Sequence, residues 1–234
     1  MQLFYEAELN ENSQQVIFDK KESGHIIKVL RKQQGDLLHI TNGKGYLFTA
    51  EIVDANHNKC IAAITDFIFK KAPSYKLHLA VAPTKRNERY EWFLEKATEI
   101  GIGEITPVIC ERSERKSIKT IRYERVLQSA MKQSLQSHLP TLNHPKSLMD
   151  FLKTEQTEQR FIAHCIEDEK KLLKNSIHPN TDVSILIGPE GDFSENEIET
   201  ALSLGWKPIS LGDSRLRTET AAIVACHTVS ICNQ

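Results

Sequence analysis

The chain has 234 residues, 40% of them hydrophobic and 26% charged, with a formal net charge of -1. This composition excludes a disordered or low-complexity chain, and the near-neutral charge argues against indiscriminate nucleic-acid binding, because the summed field would draw polyanions only weakly. The length allows one large domain or two modest ones; no apolar run approaches the ~20 residues of a membrane span, and no basic region with an apolar core opens the chain, so a cytoplasmic location is expected.

The first seventy residues read as β-rich. Strands are expected over Gln15 to Phe18, Leu37 to Thr41, Tyr46 to Val53 and Cys60 to Phe69, with turn signals at Asn42-Gly-Lys-Gly45 and Ala55-Asn-His-Asn58. One helix, Gly24 to Lys32, carries Ile27, Leu30 and Ile26 toward a core. Several short strands with one helix point to a small barrel-like domain. Lys28, Arg31 and Lys32 have two readings, a solvated helix face or a phosphate contact, and Arg31 is the favoured contact.

Lys70-Lys-Ala-Pro-Ser74 is short and polar and reads as a linker, dividing the chain into domains at 1–70 and 75–234. The second part alternates. Strands at Leu77 to Ala82, Ile105 to Cys110 and Arg160 to Cys165 are separated by helices at Asn87 to Ile100, Ile118 to Ser137 and Leu148 to Lys153. Such alternation predicts a parallel sheet covered on both faces, with ligands bound at the carboxyl ends of its strands. In the first of these helices Trp92 or Phe93, with Ala97 and Ile100, supplies the buried face. Glu91, Glu95 and Glu99 stack four apart, either solvated or answering a basic partner such as the next segment.

Two apolar runs near the end of the chain each stop at a glycine-containing loop. Val183 to Ile187 leads into Gly188-Pro-Glu-Gly191, and Ser194 with Glu197 has capping-box spacing for a helix that Gly205 would end. Pro208 to Leu211 leads into Gly212, and Thr218 is placed to cap a final helix starting at Glu219. From Thr220 to Gln234 there is no Asp, Glu, Lys or Arg, so this helix is expected to be buried in a core or against another subunit. Glycines at 188, 191 and 212 let backbone groups approach a planar or charged ligand, with Arg217 beside them. Neither loop fits G-x-G-x-x-G or a Walker loop, and either alone is compatible with an ordinary strand-to-helix turn. Five cysteines, at 60, 110, 165, 226 and 232, form no C-x-x-C pair and mostly sit in apolar runs, which reads as buried reduced thiols. The nine histidines show no ligand spacing, so no metal is expected.

Ile187-Gly-Pro-Glu-Gly-Asp-Phe-Ser-Glu195 with Glu197, Ala201 through Gly205-Trp206, and Leu211-Gly-Asp-x-x-Leu-Arg-Thr-Glu-Thr-Ala-Ala222 resemble the ribosomal RNA small subunit methyltransferase E family. Similar matches occur at His25-Ile-Ile-Lys-Val-Leu-Arg-Lys32 with Gly35-Asp36, at Lys85 with Glu95-Lys-Ala-Thr-Glu-Ile-Gly101, and at Glu111-Arg-Ser113. The resemblance implies an α/β, trefoil-knotted SPOUT methyltransferase domain preceded by a small β-barrel PUA-like RNA-binding domain. It also implies S-adenosyl-L-methionine as cofactor and transfer to N3 of one uridine in 16S ribosomal RNA or the 30S subunit. On this reading Gly188, Pro189, Glu190, Gly191, Leu211, Gly212, Leu216 and Thr218 hold the methyl donor. Arg31, Lys85, Arg86, Arg89, Arg112, Arg115 and Lys116 are the RNA contacts. The chain departs from the family where a Glu-Gln pair and an arginine are usual, carrying Lys132-Gln133 and Gln136 before Pro140, which puts that arginine's substrate role in doubt.

A sulfonium methyl is already activated, so the protein's task is to align it with the uracil nitrogen and help remove the N3 proton. Arg217 would stabilise negative charge on the uracil oxygens and Glu219 would accept the proton, although Glu219 also suits a helix start through the helix dipole. A homodimer through the charge-free final helix is expected. The competing class is a non-catalytic RNA-binding or ribosome-assembly module with the same fold, which calorimetry with S-adenosylmethionine separates from an enzyme.

Overall fold

The computed structural model describes residues 2–166 and 169–234, which form two compact units. The first comprises Met1–Ala72 with Met131–Leu139, and the second Pro73–Ala130 with Pro140–Gln234. No helix among the described residues is long and apolar enough to cross a membrane.

In the first unit the strands are β1 (Leu3–Tyr5), β2 (Gln15–Ile17), β3 (Leu37–Thr41), β4 (Tyr46–Asp54) and β5 (Ile61–Phe69). They pair in the order β1-β3-β4-β5-β2, with β1 parallel to β3 and the other pairs antiparallel, so the pairing runs edge to edge without closing. Period-two alternation buries Leu38, Ile40, Phe48, Ala50 and Ile52 against Phe4, Phe18 and Ile26. The helix begins earlier than the sequence pattern implied. α1 spans Lys20–Gly24 because the Asp19 side chain accepts from Glu22 N at 2.7 Å; a π turn over His25–Val29 follows, and Arg31 at φ 56° ends it. The segment near residue 137 joins this unit through Gly45 N donating to Ser137 O at 2.9 Å and Leu139 N to Gly43 O at 2.9 Å.

The second unit contains β6 (Leu77–Val81), α2 (Asn87–Ile100), β7 (Glu104–Ile109), α3 (Thr120–Gln133, apart from its last three residues), β8 (Thr141–Leu142), β9 (Lys146–Ser147) and α4 (Leu148–Thr154). It continues with β10 (Gln159–Ala163), β11 (Lys171–Leu172), β12 (Val183–Ile187), α5 (Glu195–Ser203), β13 (Lys207–Ser210) and α6 (Thr218–Cys232). The sheet is parallel, in the order β11-β13-β10-β12-β6-β7-β8, with β9 also on β7. One face buries Ala80, Ile162 and Leu186 with Phe151 of α4, Ile198 of α5 and Trp206. On α2 it is Phe93 that is buried, with Tyr90, Leu94 and Ala97, while Trp92 faces outward. α6 packs along α2, β6 and β12 through Ala222, Ala225, Cys226 and Val229, which accounts for its lack of charge within one chain. Glu91 pairs with Arg122 of α3, and Lys96 lies between Glu95 and Glu99, so the acidic stack is neutralised.

Candidate active site

β13, β10 and β12 are neighbours, and register aligns Ala163 with both Ile187 and Ile209. The loops leaving these three strands therefore meet at one edge of the sheet, where parallel α/β sheets bind ligands. Sequence reasoning identified the loops after β12 and β13 and missed the third, after β10. Only the strand order shows that it lies between them.

The first loop is held by side chains on every side. A Cβ at Gly188 would meet the Phe193 ring at 3.0 Å, so any side chain there would have to displace that ring by a few tenths of an ångström. Glu190 Oε1 accepts from Lys85 N at 2.9 Å. Asp192, at φ 62°, accepts from Cys165 N at 2.8 Å, tying this loop to the one after β10. Arg112 Nη1 donates to Gly191 O and Phe193 O, each at 3.2 Å. Glu197 completes the capping box with Ser194 and also accepts from Glu111 N at 2.8 Å.

The second loop turns at Gly212, φ 130°, where a Cβ would meet nothing within 4 Å. α6 starts one residue earlier than the capping pattern implied: Arg217 occupies the cap position without a side-chain cap, and Thr218 is inside the helix. The Thr218 hydroxyl instead donates to Gly188 O at 3.0 Å in a buried bond that joins the two glycine loops. A cavity of about 250 Å³ between them is lined by Gly188, Pro189, Glu190, Leu216, Arg217 and Thr218. It opens beside a cleft of about 900 Å³ lined by Gly191, Leu211, Gly212 and Leu216, to which Cys165, Asp192, Lys170 and Arg215 add polar groups. The eight residues assigned to the methyl donor are thus brought together.

Arg217 is exposed and Glu219 buried, and both also line a separate cavity of about 620 Å³. Arg89 Nε lies 3.7 Å from Glu219 Oε1, while Glu219 Oε2 has no hydrogen-bond partner among the described residues. The basic residues divide into two groups. Arg112 holds the first loop, and Arg115 donates to Thr84 O at 3.0 Å and Lys85 O at 2.8 Å, so both guanidinium groups are engaged with backbone carbonyls. Lys85 pairs with Glu114 at 2.7 Å in solvent, and Arg86 and Lys116 are exposed. Arg31, in the first unit, is exposed. Cys60, Cys110 and Cys226 are buried; burial pushes the Cys110 thiol up and holds Cys226 at about 12. Cys165 departs from the buried expectation: it is exposed at the cleft. Among the described residues no group of three or more His, Cys, Asp or Glu is placed to hold a metal ion.

The family described as RNA methyltransferase domain matches residues 70–230, and that described as RNA methyltransferase PUA domain matches residues 18–65. The ribosomal RNA small subunit methyltransferase E of Buchnera aphidicola subsp. Schizaphis graminum is 31% identical, over 94% of this chain and 91% of its own. The chain belongs to the ribosomal RNA small subunit methyltransferase E family. Among solved structures, a probable rRNA-methyltransferase from Porphyromonas gingivalis superposes with TM-score 0.91 at 41% identity, covering 99% of both chains. A putative methyltransferase from Legionella pneumophila, solved with bound SAM, superposes with TM-score 0.89 at 30% identity over 99% of this chain and 97% of its own. The PUA match lies within the five-stranded unit, and the methyltransferase match covers most of the parallel-sheet unit together with residues 131–139 of the other.

Proposed function

We propose that this chain transfers a methyl group from S-adenosylmethionine to N3 of one uridine in the 16S ribosomal RNA of the small subunit. Family membership supports rRNA methylation with S-adenosylmethionine as donor. The observation that carries the reading is the Thr218 hydroxyl bond to Gly188 O, which joins the two glycine loops at the cleft to which Cys165 N, bonded to Asp192, adds the end of β10. Its volume of about 900 Å³ lies within the ~300–1,000 Å³ of small-molecule sites. Ile209, Leu211, Leu216 and Ala221 offer apolar surface for an adenine, Gly212 leaves backbone facing open space, and charges of both signs suit a ligand carrying an amine, a carboxylate and a sulfonium.

The donor supplies a methyl group already activated on sulfur. Arg217, at the wall between the two cavities, offsets charge that develops on the uracil oxygens, and Glu219 Oε2 takes the N3 proton. In balance, the N3–carbon bond forms, the sulfur–carbon bond breaks with its electron pair remaining on sulfur, and the proton passes to the carboxylate. No thiol nucleophile is required, in keeping with the raised Cys110 and Cys226.

Residues 1–70 serve as the PUA-like RNA-binding domain and 75–234 as the SPOUT domain, with Arg31, Arg86 and Lys116 as exposed phosphate contacts. A trefoil knot is supported by α6, which leaves β13 on one side of β10 yet packs on β12 and β6 on the other. The protein acts in the cytoplasm, where ribosomal subunits are assembled, as a homodimer through the remaining exposed surface of α6, including Ile231 and His227. The test is methyl incorporation into 30S subunits lacking the mark, followed by mapping of the modified base. Arg217→Ala is expected to lower kcat, measured at saturating S-adenosylmethionine, by roughly 10²–10³. Full retained activity would sink the Arg217 role, and a methyl group on another base would sink the assignment to N3 of uridine.

A further inference from the structure

We infer that the cavity lined by Glu88, Arg89, Trp92, Arg217, Glu219 and Thr220 is the socket for the extruded uracil, with Trp92 as its stacking face. The inference rests on the methyltransferase reading and adds to it the contacts that select the base.

Three observations converge. Trp92 is 46% exposed whereas its neighbours Tyr90, Phe93 and Leu94 on α2 are fully buried, so the indole lies against this cavity and outside the core. Singly exposed apolar residues are ordinary. This one, however, shares its cavity with a carboxylate that is 6% exposed and has an orphan oxygen, and a buried unsatisfied acceptor calls for a donor. Arg89 Nε, at 3.7 Å, is associated with the other oxygen, leaving Oε2 for a ligand. Finally, Arg215 and Leu216 line this cavity and both clefts at the glycine loops, and Arg217 lines this cavity and the smaller of them, so the socket adjoins the donor site along a shared edge.

The polar pattern is selective. The Watson–Crick edge of uracil presents acceptor, donor, acceptor in the order O2, N3–H, O4, and the cavity lining holds the complementary groups, the guanidinium donors of Arg89 and Arg217 and the carboxylate acceptor of Glu219. Cytosine lacks the N3 proton and carries an amino group in place of O4, so it would leave Glu219 unpaired and set a donor against an arginine. Enzymes that modify a base commonly extrude it and read this edge while stacking its face on an aromatic ring.

Tryptophan fluorescence gives a readout independent of activity, because the chain has two tryptophans and Trp206 is 2% exposed. Uridine-containing single-stranded RNA is expected to quench the wild-type protein and to leave Trp92→Phe unquenched. In 30S methylation, Trp92→Ala is expected to lose roughly ten- to a hundred-fold in kcat/KM with unchanged S-adenosylmethionine affinity, partly recovered by Trp92→Phe. Replacing the target uridine by cytidine should abolish quenching. Absence of wild-type quenching, equal quenching by cytidine, or unchanged kcat/KM in Trp92→Ala each overturns the socket. Quenching with the expected selectivity but no methyl transfer would instead overturn the enzymatic reading and leave the socket as a uridine site.

Discussion

At the amino ends of the parallel strands, charged side chains satisfy one another; at the carboxyl ends Arg112, Arg115, Glu190 and Asp192 are spent on holding the loops, while Glu219 and Arg217 are left open. His78, the second residue of β6, places Nδ1 at 2.9 Å from Glu155 Oε2 and Nε2 at 2.7 Å from Thr106 Oγ1. Glu104 takes Lys76 and Asn143, and Thr157 bonds both Glu155 and Ser184. At the other end of the sheet Glu219 keeps an unpartnered oxygen, Arg217 is exposed, and Gly212 presents bare backbone to a cleft. Buried polar groups that close on themselves fix a fold, whereas groups left open at a cavity are available to a ligand.

Breaking the open end should affect chemistry and spare the fold. Glu219→Gln removes the proposed proton acceptor, and kcat for methyl transfer to 30S subunits is expected to fall by roughly 10²–10⁴ with the urea midpoint nearly unchanged. Breaking the closed end should do the reverse. His78→Ala removes the imidazole partner of half-buried Glu155 and is expected to lower stability by about 1–3 kcal/mol in urea denaturation, with S-adenosylmethionine affinity per folded molecule retained.

Acid sharpens the same contrast. Burial alone would push the Glu155 carboxyl up, but hydrogen bonds from His78 and Thr157 and the nearby imidazole charge outweigh it and bring it from 4.5 to about 2. A depressed carboxyl contributes stability above its unfolded value and loses it as pH falls through the folded one. About 3 kcal/mol is therefore expected to disappear between roughly pH 4.5 and pH 2, and Thr157→Val should narrow that window in a pH series of urea melts. Glu104 is shifted the same way: burial, which raises it, is outweighed by bonds from Lys76 and Asn143.

Smaller effects test the join between the loops. Thr218→Val deletes the hydroxyl bond to Gly188 O and should weaken S-adenosylmethionine binding by about five- to tenfold in calorimetry, in line with ~1 kcal/mol for one hydrogen bond. Cys165, exposed at the cleft, should react with a maleimide ahead of Cys110 and Cys226, and saturating S-adenosylmethionine should slow that reaction several-fold; equal labelling with and without cofactor would place the donor elsewhere.

Much of this was legible in the chain itself. The apolar run Val183 to Ile187, the Ser194–Glu197 capping box and α2 over Asn87–Ile100 follow from local chemistry: covered strands are continuously apolar, and caps and helix stops are set by residues within one turn. The two glycine loops were visible for the same reason, since a strand that ends at glycine ends locally. Other features depend on partners distant in sequence. Nothing near Arg112 or Arg115 indicates that they bind carbonyls at 191, 193, 84 and 85 instead of standing free, and nothing near Trp92 shows which of two adjacent aromatics faces outward. The loop after β10 joins the site only because β10 lies between β12 and β13, an order set by the packing of the whole sheet. The sequence by itself determined most of the longer strands and helices, the Ser194 cap and the glycine turns, because those depend on neighbours along the chain, while the start of α1 and the cap of α6 fell elsewhere than the local pattern implied. Tertiary structure decided that Thr218 would bond Gly188 and that Glu219 would be buried with one oxygen unpaired, because burial and hydrogen-bond partnership belong to the fold as a whole.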